Sequence, residues 1–129
     1  MTDIRVLLVD DHPMVRTALA EVLADQDGVT VVGECEDGSQ FVEAATRLKP
    51  DVVCMDMSMP GMSGLDATEA LRAAGARVPV VVLSAAACTR PAVAASGADA
   101  LVPKTARPDA LLGCLRALAT RAPDCPYCL

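Results

Sequence analysis

Asp10, Asp11, Asp56, Ser84 and Lys104 are the residues whose types could do chemistry together. Each stands at or just beyond the end of a short apolar run: Ile4–Val9, Val52–Met55, Val78–Leu83 and Ala98–Val102. Three carboxylates gathered in one pocket repel each other and need an opposing charge. Lys104, a flexible point charge, is one candidate. Mg²⁺, which takes oxygens from carboxylates, water and phosphate, is the other. A carboxylate is also a nucleophile toward phosphorus and forms an aspartyl phosphate. That chemistry is mostly positioning and charge neutralisation. Mg²⁺ and Lys104 would supply it, with Ser84 hydrogen-bonding a phosphoryl oxygen. One Asp at a strand end is ordinarily a solvated loop charge, but ionisable groups clustered at matching ends of four strands signal a site.

The elements that must position these groups alternate along the chain. Ile4–Val9 has the length and branched composition of a strand. Pro13 then opens a helix over 13–26, with Val15, Leu19, Val22 and Leu23 at helical spacing. Val29–Cys35 is a second strand. Phe41, Ala45 and Leu48 mark one face of a helix that ends at Lys49-Pro50. Val52–Met55 leads to Asp56, and Met57–Gly64 is a loop. Ala67, Ala70, Leu71 and Ala74 face inward on a third helix, stopped by Gly75. After the strand Val78–Leu83, the stretch 85–96 is weakly patterned and carries Pro91. Ala98–Val102 is a fifth strand, and Pro108 opens a last helix with Leu111, Leu115 and Leu118 inward. Strict strand–helix alternation implies an α/β fold, a parallel sheet with helices on both faces. Ligands of such sheets bind outside the carboxyl ends of the strands, the edge where the five polar residues lie.

Composition bounds the partners. With 129 residues, 53% of them hydrophobic and 2% aromatic, the chain reads as one globular domain with an aliphatic core. A net charge of −6 disfavours direct binding to DNA or an anionic membrane. The absence of a signal-type leader and of a long apolar stretch leads to a cytoplasmic expectation. Most of the six cysteines lie within apolar segments and read as small buried thiols. No GxxxxGK, HExxH or GxGxxG occurs, so nothing suggests a P-loop, zinc-protease or dinucleotide site.

Several motifs together resemble the receiver domain of two-component response regulators. They are Val9-Asp10-Asp11-His12-Pro13, the run Asp56 to Gly64, Val82-Leu83-Ser84-Ala85, and Gly97-Ala98 ahead of Lys104-Thr105. The resemblance covers residues 3 to about 120, and the Asp-Asp-His-Pro opening is similar to the NarL/FixJ subfamily, whose members carry a helix-turn-helix output domain. It implies a flavodoxin-like, doubly wound five-stranded sheet of order 2-1-3-4-5. It also implies Asp56 as phosphoacceptor, Asp11 as direct Mg²⁺ ligand and Asp10 as ligand through water. The Ser58 backbone carbonyl would complete the metal shell, and Ser84 and Lys104 would contact the phosphoryl group. A sensor histidine kinase is the implied donor and a homodimer an expected assembly. DNA would be reached only through a C-terminal domain absent from this chain. The expected organisation is a receiver over 1–121 and a tail over 122–129, and catalysis is expected to extend at most to self-phosphorylation and autodephosphorylation.

Three departures bear on output. Leu101 stands where the family usually has an aromatic switch residue, Ala100 replaces a frequent glycine, and the Ser84–Gly97 stretch is short. With Pro91, the last predicts a short or irregular fourth helix. An atypical receiver acting as a phosphate-independent interaction module is therefore the alternative. A hydrolase of haloacid-dehalogenase type is disfavoured, because its second acid would fall at Ser58. Cys125-Pro126-Tyr127-Cys128 resembles a glutaredoxin tetrapeptide but lacks the strand-to-helix setting that activates the thiol, and two thiols alone do not complete a zinc site. Met55, Met57, Met59 and Met62 read as packing rather than soft-metal ligands. His12, the single histidine, reads as a helix-start residue beside the pocket rather than a relay or metal ligand, since no partner ligand lies at suitable spacing.

Overall fold

The computed structural model describes residues 3–57, 59, 61–84, 90–120, 127 and 129. The order is β1 (Ile4–Val9), α1 (Pro13–Ala24), β2 (Val29–Cys35), α2 (Gly38–Leu48), β3 (Val52–Asp56), α3 (Gly64–Ala73), β4 (Val80–Ser84), α4 (Arg90–Ala95), β5 (Ala100–Pro103) and α5 (Pro108–Ala119). All four strand pairings are parallel, and the sheet order is β2-β1-β3-β4-β5. This is the flavodoxin-like arrangement expected.

Local chemistry sets the helix ends. Pro13 and Pro108 occupy first helical positions, where a missing amide hydrogen costs nothing. Asp37 caps α2 by accepting from the Ser39 and Gln40 amides, and Ser63 caps α3 by accepting from Asp66 N–H. Lys49 ends α2 in the left-handed conformation (φ 50°), just before Pro50.

Side chains on the two sheet faces form two cores. Val6, Leu8, Val52, Cys54, Val81, Leu83 and Val102 pack with Leu23 of α1 and Leu111, Leu112 and Leu115 of α5. Leu7, Val9, Val53, Met55, Val80 and Val82 pack with Phe41 of α2, Ala67 and Leu71 of α3 and Val93 of α4. β3 and β4 are buried along their whole lengths, so their near-continuous apolar runs follow from being covered on both faces. The three described cysteines, Cys35, Cys54 and Cys114, are buried and in no disulfide. Cys88, Cys125 and Cys128 lie outside the described residues, and with them the thiols of the tetrapeptide reading.

The structure adjusts some expectations. β4 starts at Val80, because Pro79 has no amide hydrogen for the ladder. Val15 is 45% exposed although it shares the helical spacing of Leu19 and Leu23, because it lines an open cavity with Leu83, Val102 and Lys104. Ala74 is the exposed C-cap of α3 rather than an inward residue. α4 is six residues long, as expected of a short helix, with Pro91 tolerated in its first turn.

Arg72 of α3 fixes the amino ends of β4 and β5. It donates to the carbonyls of Gly97 and Val78 and to the Asp99 carboxylate, which also accepts from Val80 N–H. On the outer edge of β5, Leu101 N–H bonds to the Tyr127 carbonyl at 3.1 Å and Leu129 N–H to the Asp99 carbonyl at 2.9 Å. That reciprocal pattern is the one of an antiparallel pair. Tyr127 also packs against the α1–α5 core.

Gly64 is where the fold touches the site most tightly. A Cβ there would collide with the backbone carbonyl of Asp56 and the Cα of Met57, neither of which can rotate away. Gly64→Ala should therefore lower stability by about 1–3 kcal/mol, read as a fall in the urea midpoint. Gly113→Ala on exposed α5, where a Cβ meets nothing within 4 Å, should leave the midpoint unchanged or raise it.

Candidate functional site

The carboxyl edge of the sheet carries the site. β1 ends in Val9, and Asp10 follows with its amide bonded to the Cys35 carbonyl at the end of β2. The Asp10 side chain is buried, and its Oδ1 accepts the His12 amide hydrogen at 2.8 Å. Arg16, one turn into α1, donates to the Asp10 carbonyl at 2.6 Å and pairs with Glu34 at 3.0 Å, holding the β1–α1 turn against β2. Asp56 is the last residue of β3 and is 1% exposed. The loop after it is pinned by Met57 N–H on the Leu83 carbonyl and Gly64 N–H on the Met57 carbonyl. Ser84 is the buried last residue of β4, and its carbonyl accepts Lys104 N–H at 2.8 Å.

These supports bring four of the five sequence-derived groups into mutual reach. Lys104 Nζ lies 2.8 Å from Asp56 Oδ1, while Asp56 Oδ2 is 3.9 Å from His12 Nδ1 on the other side. His12 Nδ1 is also 3.0 Å from Asp11 Oδ1 and 3.3 Å from Asp10 Oδ1. Ser84 borders the group on the neighbouring strand end, and Ser58 lies outside the described residues. One contributor was not foreseen: Arg16 anchors the turn through its guanidinium. His12, read from sequence as a helix-start residue beside the pocket, is the N-cap of α1 and stands beside all three carboxylates.

The donor set suits a small hard cation. One ligand atom from each of Asp10, Asp11, His12 and Asp56 lies within 4.8 Å of the others. Asp11 Oδ1 is buried and accepts no hydrogen bond from the described residues, although His12 Nδ1 is close. A buried carboxylate oxygen without a donor is costly, and a bound cation removes that cost. Mg²⁺ fits, being an ion that takes one or two carboxylates and keeps waters for the rest. Among the described residues, no helix is long and apolar enough to cross a membrane.

Comparison with known proteins agrees with this geometry. The family model of the response regulator receiver domain matches residues 6–116. The response regulator GacA of Pseudomonas viridiflava is 48% identical over 81 residues, which are 63% of this chain and 38% of that protein. The nitrate/nitrite response regulator protein NarL of Escherichia coli strain K12 is 38% identical over 116 residues, 88% of this chain and 54% of that protein. The chain thus spans about half or less of the length of these curated relatives. Among solved structures, the signal receiver domain of the putative response regulator NarL from Mycobacterium tuberculosis superposes with a TM-score of 0.81 at 30% identity, covering 90% of this chain and 98% of that one. A LuxR-family two-component response regulator from Aurantimonas gives 0.87 at 26% identity, covering 95% and 92%.

Directly beneath the carboxylates, burial pushes the Cys54 thiol up to about 12, and the Asp10 and Asp56 charges add to the shift. The native thiol therefore keeps its proton where the unfolded one, near the ordinary value of 9.0, loses it. The stability tied to this proton is complete below about pH 9 and declines toward about pH 12. Urea unfolding at about pH 8 and about pH 10.5 should show wild type losing more stability than Cys54→Ala. Equal losses in the two proteins would contradict the buried-thiol account.

Proposed function

We propose that this chain, which belongs to the response regulator receiver domain family, is a phosphoacceptor switch in which Asp56 takes a phosphoryl group from a sensor histidine kinase in a Mg²⁺-dependent reaction. The observation that carries this reading is the divided Asp56 carboxylate, with one oxygen on Lys104 and the other toward Asp10, Asp11 and His12. A nucleophile held that way has a cation on one side and a cation-binding cluster on the other.

In this reading Asp11 and Asp56 would hold Mg²⁺ directly, Asp10 would do so through water, and the Ser58 carbonyl would complete the protein's share. Mg²⁺ held there would supply positive charge to offset that gathering on the phosphoryl oxygens. An Asp56 oxygen attacks phosphorus. Its O–P bond forms as the N–P bond of phosphohistidine breaks, and the imidazole nitrogen leaves with the electron pair. Lys104 then pairs with one phosphoryl oxygen and Ser84 hydrogen-bonds another. Attack of water on phosphorus later breaks the Asp56 O–P bond, releasing inorganic phosphate and restoring the carboxylate. The switch biases a two-state equilibrium read by a partner surface. Regulation of transcription in the cytoplasm follows, by analogy with the regulators it resembles, through a C-terminal DNA-binding domain and a dimer.

A second reading, a phosphate-independent interaction module, is favoured by one observation. Leu101, at the position where the family usually has a ring, is half-buried against the α2–α4 core, and leucine exposes little new surface on moving.

Intact-protein mass spectrometry after incubation with acetyl phosphate separates the two. Wild type with Mg²⁺ should gain one phosphoryl group, and Asp56→Ala, or wild type with a chelator, should gain none. No adduct on correctly folded wild type would sink the phosphoacceptor reading and leave the interaction module.

A further inference from the structure

We infer that Tyr127 and Leu129 act as a strap that closes the outer edge of β5, and that phosphorylation of Asp56 loosens it. The closing of the edge stands on contacts alone; its control by Asp56 rests on the phosphoacceptor reading above.

The strap is held by backbone. β5 is the last strand of the sheet, so β4 covers one side of it and the other side is an edge. A bare strand edge recruits other extended chains. Along that edge Leu101 offers an amide hydrogen, and Pro103, next in phase, has none. The Leu101 hydrogen goes to the Tyr127 carbonyl, and the Asp99 carbonyl takes the Leu129 hydrogen. Reciprocal bonds spaced two residues apart on both segments are the unit of an antiparallel pair. Tyr127 also packs against the α1–α5 core, while Leu129 is 40% exposed. So few contacts place the strap at the weakly held end of the structure.

The two anchor points are tied to different things. Asp99 is fixed from behind, because its carboxylate bonds Arg72 of α3 and the Val80 amide of β4, each at 2.9 Å. Leu101 lies on the stretch of β5 that runs to Lys104, whose Nζ is 2.8 Å from Asp56 Oδ1. The strap therefore bridges a fixed point and one that follows the site. It is docked while Lys104 pairs with the Asp56 carboxylate itself. In the proposed reaction Lys104 exchanges that oxygen for one on the phosphoryl group, farther from the end of β3, and β5 follows it. Displacing one anchor against the other strains both strap bonds. The strap thus favours the unphosphorylated form, and phosphorylation shifts the balance toward release.

Amide hydrogen exchange followed by NMR reads the strap directly, with beryllofluoride and Mg²⁺ as the phosphoryl mimic. Without the mimic, the Leu101 and Leu129 amides should be protected, and ending the chain at residue 126 should remove the protection of Leu101. Leu129→Pro, which deletes one strap donor at an exposed position, should lower it as well. With the mimic bound, protection of both amides in the full chain should fall about tenfold. Coupling is reciprocal, so the chain ending at residue 126 should bind the mimic about tenfold more tightly than the full chain. Equal Leu101 exchange in the full chain, the shortened chain and Leu129→Pro would overturn the strap. Mimic binding, seen by ¹⁹F NMR, that leaves both protections unchanged would overturn its control by Asp56 while the phosphoacceptor reading stands. No bound fluoride signal and no acetyl phosphate adduct on the folded protein would remove that reading and the control together.

Discussion

Three carboxylates forced into one small volume set the terms for everything around them. Asp10 and Asp56 are almost wholly buried, and an Asp11 oxygen joins them without a hydrogen-bond donor among the described residues. Charges placed so close repel, and desolvation weakens the screening that would soften the repulsion. The described structure answers with one direct cation, Lys104 on Asp56, and with the single imidazole in the space among the acids. The negative charge that remains is what the proposed function assigns to a metal ion and then to a phosphoryl group.

Holding that arrangement requires rigidity, and the sheet provides it. β1 and β3 are adjacent parallel strands, so Asp10 and Asp56 emerge from the same edge in fixed register. The buried apolar residues beneath them, Val6 to Val9 of β1 and Val52 to Met55 of β3, leave no alternative place for the carboxylates. Gly64 lets α3 start against the Asp56 carbonyl, and Asp56, Met57 and Gly64 thereby become one packed unit. Arg16 at one end and Arg72 at the other spend guanidinium donors on backbone carbonyls. Each stiffens a junction whose carbonyls would otherwise lack donors.

Asp10, Asp11, Asp56, Ser84 and Lys104 were legible because each follows an apolar run that cannot be anything but a covered strand. Period and punctuation thus place them on one edge without knowledge of contacts. The sheet order was not legible from pattern alone and came from resemblance, because parallel strands with helical crossovers look alike in sequence whichever neighbours they choose. Arg72–Asp99 was hidden because the partners are far apart in sequence and meet only once α3 lies across β4 and β5. Val15 and Ala74 show the limit of periodicity: both share the phase of inward residues, but Val15 borders an open cavity and Ala74 is the C-cap of α3. His12, read as a helix-start residue beside the pocket, is the N-cap of α1 with its ring near Asp10 and Asp11; how near was hidden, because the turn after β1 decides it.

The route from site to surface follows from how β5 is attached. Lys104 is joined to the site twice, by its ammonium to Asp56 and by its amide to the Ser84 carbonyl. Any redistribution of charge at Asp56 therefore pulls on the end of β5 through bonded structure, without help from a rotating aromatic ring. Along the same strand Leu101 packs inward while its amide holds Tyr127. A shift of β5 is thus transmitted both to the α2–α4 core and to the chain segment on the sheet edge. Replacing a ring by leucine removes one lever but leaves this backbone connection in place, so the chemistry at Asp56 and the identity of residue 101 are separable. A receiver built this way can keep the sheet edge that carries Asp56 unchanged while the surface around residue 101 diverges.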